Sequence, residues 1–238
     1  MPAARDVAVG RIARIDRDRG RRVGVPEVVL GEGKTVAHLR AIAERLHRAG
    51  LGALISRPTD AQRRALASAG LPLRTRAGGR LLRLEGPLDA RFRPGVVAVV
   101  TAGTSDVPVA EEAAAVLEEL GLSVVRAYDV GVAGLHRLER ALRRVGRAEP
   151  ELYLVFAGRE GARPTVVAGL VHAPVVGIPT SVGYGRGGQG EAALNALLQS
   201  CAPLAVVNID AAVPAALFAA QHFAVRPVRT RGSRDARR

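Results

Sequence analysis

The sequence is poor in sulfur and in aromatic side chains. Its 238 residues include one cysteine, one methionine and no tryptophan. A single cysteine cannot form an intrachain disulfide or a zinc cluster built from several thiolates. Aromatic residues make up 3% of the chain, so the stacked aromatic platforms that bind unpaired bases are scarce. Disulfide-stabilised and cysteine-zinc modules are therefore excluded.

A membrane-spanning run and an apolar leader are also missing. Charged residues, glycine and proline interrupt every apolar run before it reaches the length of a bilayer. The N-terminal segment contains Asp6 and Asp16 and has no apolar core of the kind found in signal peptides. We therefore expect a cytoplasmic protein with no membrane partner.

Lysine is nearly absent, although the chain is strongly basic. The formal net charge is +13, and Lys34 is the only lysine. A basic chain attracts polyanions, so an arginine-rich, nucleic-acid-associated protein is one alternative. The arginines are spread along the sequence, apart from a short excess at the C-terminus. We therefore expect small anionic substrates such as nucleotides rather than a nucleic-acid partner.

The C-terminal part alternates between apolar runs and amphipathic segments. Strands are predicted over residues 95–103, 122–129, 152–158, 174–181 and 204–210, with helices between them and one after the last. This alternation predicts a flavodoxin-like parallel sheet in a three-layer α/β/α sandwich. We place this catalytic domain at 89–228, and we expect the basic tail 229–238 to be disordered.

The N-terminal part, residues 1–88, is predicted to be a smaller α/β domain. Residues 25–85 indicate a strand, a helix, a strand, a helix and a hairpin that turns at "AGG". A charged segment, residues 5–24, lies before these elements, and 86–95, with two prolines, is a linker.

Ligands of parallel α/β sheets bind beyond the carboxyl ends of the strands. The first such loop, "TAGTSD", places Gly103, Thr104 and Ser105 at the start of a helix, where backbone N–H groups bind phosphate. Asp106 is predicted either to cap that helix or to hold a ribose hydroxyl. Capping alone is the alternative for the whole loop.

Other loops at the same edge carry further candidates. His136 and Arg137 fall in the first turn of a helix, and Glu160 follows a strand beside glycines. "GYGRGG" (183–188) matches a dinucleotide fingerprint but follows the fourth strand of its domain, so we interpret it as a loop over a ligand. "GEGKT" around Lys34 lacks the upstream glycine of a P-loop.

The only cysteine, Cys201, lies in "LNALLQSCAP" near the end of a helix predicted over 190–201. Leu194, Leu197 and Leu198 precede it by seven, four and three residues and share its helix face. Negative charge is disfavoured at a helix C-terminus. The residues alone therefore favour a packed structural thiol, with a catalytic thiol as the alternative.

The sequence motifs in these loops, and their order along the chain, resemble those of a known enzyme family. "VVTAGTSD", "YDVGVAGLHRL", "PVVGIPTSVGYG" and "SCAP…VVNID" resemble the LarB family of nickel-pincer cofactor biosynthesis carboxylases. "DRGRRVGVPEVVLGEGKT" resembles the first domain of the same family. The resemblance implies a PurE-like domain, related to phosphoribosylaminoimidazole carboxylase, preceded by a smaller α/β domain.

The resemblance also implies a reaction. The family carboxylates nicotinic acid adenine dinucleotide at C5 of the pyridinium ring with CO2 or bicarbonate and hydrolyses its phosphoanhydride. The products are pyridinium-3,5-biscarboxylic acid mononucleotide and AMP, in the first step towards the nickel-pincer cofactor used in lactate racemase maturation. Mg²⁺ is expected without an assigned ligand set, no bound redox cofactor is expected, and the chain is expected to form a homo-oligomer, namely an octamer.

The resemblance assigns the catalytic thiol to Cys201 and the active-site carboxylate to Glu160. The residues expected at the substrate share the carboxyl-edge loops, with two N-terminal contacts in addition. They are Gly103, Thr104, Ser105, Asp106, His136, Arg137, Gly158, Arg159, Thr180, Ser181, Gly183, Tyr184, Gly185, Asn208 and Asp210, together with Arg22 and Lys34.

The chain departs from the family's pattern near the expected pocket. Arg159 and Arg163 stand where the family has apolar residues, the loop "GRGGQG" lacks the usual aromatic residue, and "AAVPA" replaces a glycine-rich stretch after "NID". These differences leave the substrate open. The alternative enzyme is an aminoimidazole ribonucleotide carboxylase or mutase, which needs no cysteine.

Overall fold

A computed structural model describes residues 6–16 and 18–225. The predicted disordered tail, 229–238, lies outside these residues. The strands are β1 (Asp6–Val9), β2 (Ala13–Asp16), β3 (Val28–Leu30), β4 (Ala53–Ser56), β5 (Leu73–Arg76), β6 (Leu81–Leu84), β7 (Val96–Thr101), β8 (Ser123–Ala127), β9 (Leu152–Ala157), β10 (Val175–Pro179) and β11 (Leu204–Val206). The helices are α1 (Arg19–Val23), α2 (Val36–Arg48), α3 (Asp60–Ser68), α4 (Val107–Glu119), α5 (Leu135–Gly146), α6 (Ala162–Ala168), α7 (Glu191–Leu198) and α8 (Ala212–Phe223).

The C-terminal strands form one parallel sheet in the order β8-β7-β9-β10-β11. This is the 2-1-3-4-5 order of flavodoxin-like folds. All six residues of β9 are buried because helices cover both faces of the sheet. Residues of α4 and α8 pack on one face, and residues of α5 and α6 pack on the other. The predicted three-layer α/β/α fold is confirmed.

The N-terminal region contains a mixed four-stranded sheet in the order β3-β4-β6-β5. The predicted hairpin is present, because β5 and β6 pair antiparallel across a tight turn at Ala77–Gly79. A threonine side chain caps the N-terminus of each of the two helices α2 and α3. Thr35 accepts the His38 N–H at 3.1 Å, and Thr59 forms a reciprocal capping box with Gln62.

The charged segment before this sheet has more structure than its composition indicates. β1 and β2 form an antiparallel hairpin in which Val7, Val9 and Ile15 are buried against the N-terminal core. Alternation is the reason, since every second residue of β1 faces inward while its neighbours stay exposed. The alternation is not evident in the sequence because the strands are short and the segment contains many arginines.

The two regions share a core and a buried ion cluster. Leu54 and Leu81 of the N-terminal sheet belong to the same apolar cluster as β7, α4 and α8. Beside them the fully buried carboxylate of Glu112 accepts hydrogen bonds from Ser56, Arg57 and Arg80. We call these four residues the Glu112 cluster. They fix α4 to the N-terminal sheet.

No helix within the described ranges combines the length and the apolar composition that crossing a membrane requires.

Candidate active site

A cavity of about 460 Å³ lies at the carboxyl ends of β7, β8 and β9. The strand order reverses between β7 and β9, which is where open parallel sheets bind ligands. Three loops, which follow these three strands, form most of its walls. The lining residues are Ala102, Gly103, Thr104, Ser105, Asp106, Asp129, Gly131, Val132, Gly158, Arg159, Glu160, Arg163 and Val182.

The first wall is the turn from β7 into α4. The carboxylate of Asp106 accepts the N–H of Gly103 at 2.8 Å and the hydroxyl of Thr180 at 2.6 Å. Asp106 is buried, whereas Thr104 and Ser105 are exposed beside the cavity. Asp106 therefore holds the loop in shape and engages the N–H of Gly103, so the exposed residues Thr104 and Ser105 are left to meet a ligand.

The second wall follows β8. Asp129 has a left-handed backbone with φ of 53°, and its N–H donates to the hydroxyl of Thr101 at 3.1 Å. The guanidinium of Arg137 binds the Asp129 carboxylate at 3.1 Å. Arg137 thus lies behind a lining residue, and the exposed His136 is not part of the lining. Asp129 itself was missed by the sequence reasoning, which gave weight to basic residues in this loop.

The third wall is the turn after β9. A Cβ on Gly158 would lie 2.2 Å from the carbonyl oxygen of Val182, so only glycine fits there. The guanidinium of Arg159 stacks on the ring of Tyr184, 5.0 Å from its centroid. Glu160 is exposed at the cavity, and no hydrogen bond or ion pair engages it in the described part of the chain. Its carboxylate is free to act on a ligand.

Arg163 completes the cavity from α6. Sequence reasoning noted it only as a departure from the family's pattern and did not assign it to the site. Its side chain is 3% exposed. Burial lowers the pKa of its guanidinium, and the charges of Asp106, Glu160 and Asp129 oppose that effect. A buried cation therefore lies among three acidic lining residues.

Several predicted substrate contacts lie outside this cavity. Ser181 donates its N–H to Asp210 at 2.9 Å, and both residues line a neighbouring cavity with Arg57 and Arg80. Arg22 pairs with Asp16 at 2.6 Å in the N-terminal hairpin region. The other predicted residues outside the lining are Lys34, Thr180, Gly183, Tyr184, Gly185 and Asn208.

The interpretation of Cys201 as a packed thiol on a helix face is wrong. Helix α7 ends at Leu198, and Cys201 is exposed in the turn that follows. Leu198 is exposed as well, so the apolar periodicity does not extend to the cysteine. Leu204 pairs with Val175, the first residue of β10, which places this turn near the edge where the strands begin. Cys201 is not among the residues that line the cavity with Glu160, although the hydroxyl of the neighbouring Ser200 accepts a hydrogen bond from Thr165 of α6 at 2.9 Å.

Metal ligands do not converge in the described residues. No group of three or more histidine, cysteine, aspartate or glutamate side chains is placed to hold an ion there. Asp106 and Asp129 are engaged by other residues, as described above. Residues 6–16 and 18–225 therefore offer no ready-made ligand set for a resident Mg²⁺.

Two family models match the chain. One, described as AIR carboxylase, covers residues 96–235, and the other, described as the LarB/PurE-like N-terminal domain, covers residues 7–85. The chain belongs to the AIR carboxylase family. It is a PurE-like protein of the LarB type, because the second match precedes the first. The resemblance to the LarB family is thereby confirmed.

The chain is also similar to individual proteins. The chain is 38% identical to an uncharacterised protein of Methanocaldococcus jannaschii over 87% of this chain and 82% of that protein. It is 33% identical to the N5-carboxyaminoimidazole ribonucleotide mutase of Pyrococcus horikoshii over 55% of this chain and 73% of that enzyme. The crystal structure of Treponema denticola PurE matches with 26% identity and a TM-score of 0.43, over 53% of this chain and 80% of that one.

Proposed function

We propose that this member of the AIR carboxylase family carboxylates nicotinic acid adenine dinucleotide and hydrolyses its phosphoanhydride. The products would be pyridinium-3,5-biscarboxylic acid mononucleotide and AMP. The observation that carries the proposal is the cavity itself, which is lined both by Glu160 and by a glycine-, threonine- and serine-containing turn at a helix start. Such a turn suits phosphate, and the carboxylate suits proton transfer.

The chemistry gives a role to a thiol. The pyridinium ring is electrophilic, so C5 cannot attack CO2 directly. Addition of the Cys201 thiolate at C4 breaks aromaticity and makes C5 the nucleophilic carbon of an enamine. C5 then attacks CO2, Glu160 accepts the C5 proton, and expulsion of the thiolate restores the ring. Water finally cleaves the phosphoanhydride and releases AMP.

The position of Cys201 favours a site that is built from more than one copy of the chain. The thiol is exposed but lies away from the cavity of its own chain. We therefore propose that the active form is a homo-oligomer, in which one copy supplies the cavity with Glu160 and a neighbouring copy supplies Cys201. Any Mg²⁺ would then be bound by the pyrophosphate of the substrate, since the described part of the chain offers no cluster of metal ligands.

The second candidate function is N5-carboxyaminoimidazole ribonucleotide mutase. Two observations favour it: the C-terminal half resembles relatives with that name, and the cavity of one chain contains no cysteine. The LarB-type N-terminal region favours the first function instead.

One assay separates the two functions. Purified protein is incubated with nicotinic acid adenine dinucleotide, ¹³C-bicarbonate and Mg²⁺, and in parallel with N5-carboxyaminoimidazole ribonucleotide. Mass spectrometry is expected to find the labelled biscarboxylated mononucleotide and AMP in the first reaction only. Folded protein that yields neither of these products would refute the proposal, and turnover of the imidazole substrate would establish the second candidate.

Substitution of Cys201 tests the mechanism. Cys201→Ser is expected to lower carboxylation by at least about a thousandfold, because a hydroxyl is a far weaker nucleophile than a thiolate. Thermal unfolding should be unchanged, since the side chain is exposed. Gln199→Ala, at an exposed position two residues away, serves as a control. Full activity of Cys201→Ser would rule out the covalent step.

Mixed oligomers test the shared site. Cys201→Ser and Glu160→Gln are each expected to be inactive, whereas their co-expression should restore activity at about a quarter of the sites if two copies build each site. No recovery in a verified mixed oligomer would show that both residues act within one chain.

A further inference from the structure

Arg163 is a buried cation whose polar atoms are unsatisfied. Its Nε and Nη1 atoms are fully buried and lack hydrogen-bond partners in the described structure. No ion pair within 4.0 Å involves it among these residues. A guanidinium removed from water without partners is costly, and such groups normally find a hydrogen-bonding anion.

The nearby acids do not fill that role. Asp106 is occupied by Gly103 and Thr180, and Asp129 is occupied by Arg137. Together with Glu160 they act on Arg163 only through longer-range attraction. The three carboxylates therefore attract the Arg163 guanidinium, but none of them accepts a hydrogen bond from it.

Space for an anion lies beside the guanidinium. A Cβ added to Gly131 would stand 3.6 Å from Nη2 of Arg163 and 3.9 Å from the carbonyl oxygen of Ala102. Gly131 and Arg163 both line the cavity. The absence of a side chain at Gly131 therefore leaves space beside Nη2 of Arg163, which unlike Nε and Nη1 is not among the fully buried, unpartnered atoms.

We propose that Arg163 binds an oxyanion of the substrate inside this cavity and selects substrates that carry a carboxylate or a phosphate there. Nη2 carries two N–H groups, which can donate charge-assisted hydrogen bonds to the oxygens of either group. The identity of the substrate rests on the function proposed above, where the oxyanion is the ring carboxylate or the pyrophosphate. The anion site itself rests only on Arg163 and the cavity.

Calorimetric titration separates the two sources of the oxyanion. The ligands are nicotinic acid adenine dinucleotide and its amide counterpart NAD, which lacks the ring carboxylate. Arg163→Met is expected to weaken binding of the acid by about 10- to 100-fold, because a charge-assisted hydrogen bond is lost. If the ring carboxylate is bound, NAD affinity stays unchanged. If the pyrophosphate is bound, both affinities fall equally.

Two further variants serve as controls. Arg140→Met removes the same charge from the exposed face of α5 and should leave both affinities unchanged. Gly131→Ala keeps Arg163 and adds a methyl group at ordinary contact distance, so the chain should fold normally while the methyl group obstructs the anion. Binding is expected to weaken several-fold in this variant even if Arg163→Met fails to fold. Wild-type affinity in Gly131→Ala and in folded Arg163→Met would overturn the proposal.

Small anions keep this test independent of the substrate assignment. If the wild-type protein binds neither dinucleotide, the same variants are titrated with inorganic phosphate and with nicotinate. Weaker binding of either probe by Arg163→Met, but not by Arg140→Met, would support the anion site while the proposed reaction fails. Equal binding of both probes by all variants would refute the site.

Discussion

Two buried charges in this molecule have opposite surroundings. Glu112 is fully buried, and both of its carboxylate oxygens accept hydrogen bonds, at 2.6 Å from Ser56 and at 2.8 Å from Arg80. Arg163 is almost as buried but has no hydrogen-bonding partner in the described structure. Glu112 lies between two packed regions, whereas Arg163 lies in the wall of a cavity.

The comparison distinguishes Glu112, a buried charge that stabilises the fold, from Arg163, a buried charge that is proposed to bind a ligand. Burial removes water from both groups, and each needs compensation. The Glu112 cluster supplies it within the chain and so couples the N-terminal sheet to α4. Around Arg163 the compensation is incomplete, which suits a group whose partner arrives with the ligand. Stability should therefore depend on Glu112 and binding on Arg163.

Glu112→Gln is expected to have the largest effect on stability. The substitution leaves Arg80 and Arg57 without their shared carboxylate, and breaking a buried ion pair in this way costs about 3–5 kcal/mol. Chemical denaturation measures the loss. Glu32→Gln is the matched control, because Glu32 pairs with Arg57 but is 65% exposed, so it should change stability very little. A small effect of Glu112→Gln would show that the cluster does not hold the two regions together.

Arg80→Met is expected to be milder, at about 1–2 kcal/mol. Arg80 is one-third exposed, and Ser56 and Arg57 continue to bind Glu112 after it is removed. Arg64→Met on the exposed face of α3 controls for the lost charge. A loss equal to that of Glu112→Gln would mean that Arg80 alone satisfies the carboxylate.

Much of the fold follows from local sequence patterns. The apolar runs that became β7 and β9 alternate with helices, and parallel strands joined by crossover helices allow few arrangements. The hairpin β5–β6 was predicted from its "AGG" turn. The hairpin β1–β2 was missed because its strands have four residues each, which is too short for alternation to stand out among the charges.

The site was predictable only where side chains follow strands directly. The predicted residues Gly103–Asp106 and Gly158–Glu160 line the cavity because the carboxyl ends of parallel strands converge at one edge of the sheet. Cys201 was placed on a helix face because periodicity does not indicate where a helix stops. The buried state of Arg163 could not be derived from sequence, since arginine is rarely buried and its partners depend on tertiary contacts.

Arg163→Met is expected to change the free energy of unfolding by less than about 1 kcal/mol, the smallest shift of the three. Removal of the guanidinium ends the cost of burying an unpaired cation, and methionine can fill much of the vacated volume. The loss of attraction to Asp106, Glu160 and Asp129 acts in the opposite direction, so the two contributions offset each other.

Chemical denaturation without ligand, repeated with saturating phosphate, measures the stability of the free and the phosphate-bound protein. Phosphate should stabilise the wild type more than the variant. A loss in Arg163→Met as large as that in Glu112→Gln would instead make Arg163 a structural charge.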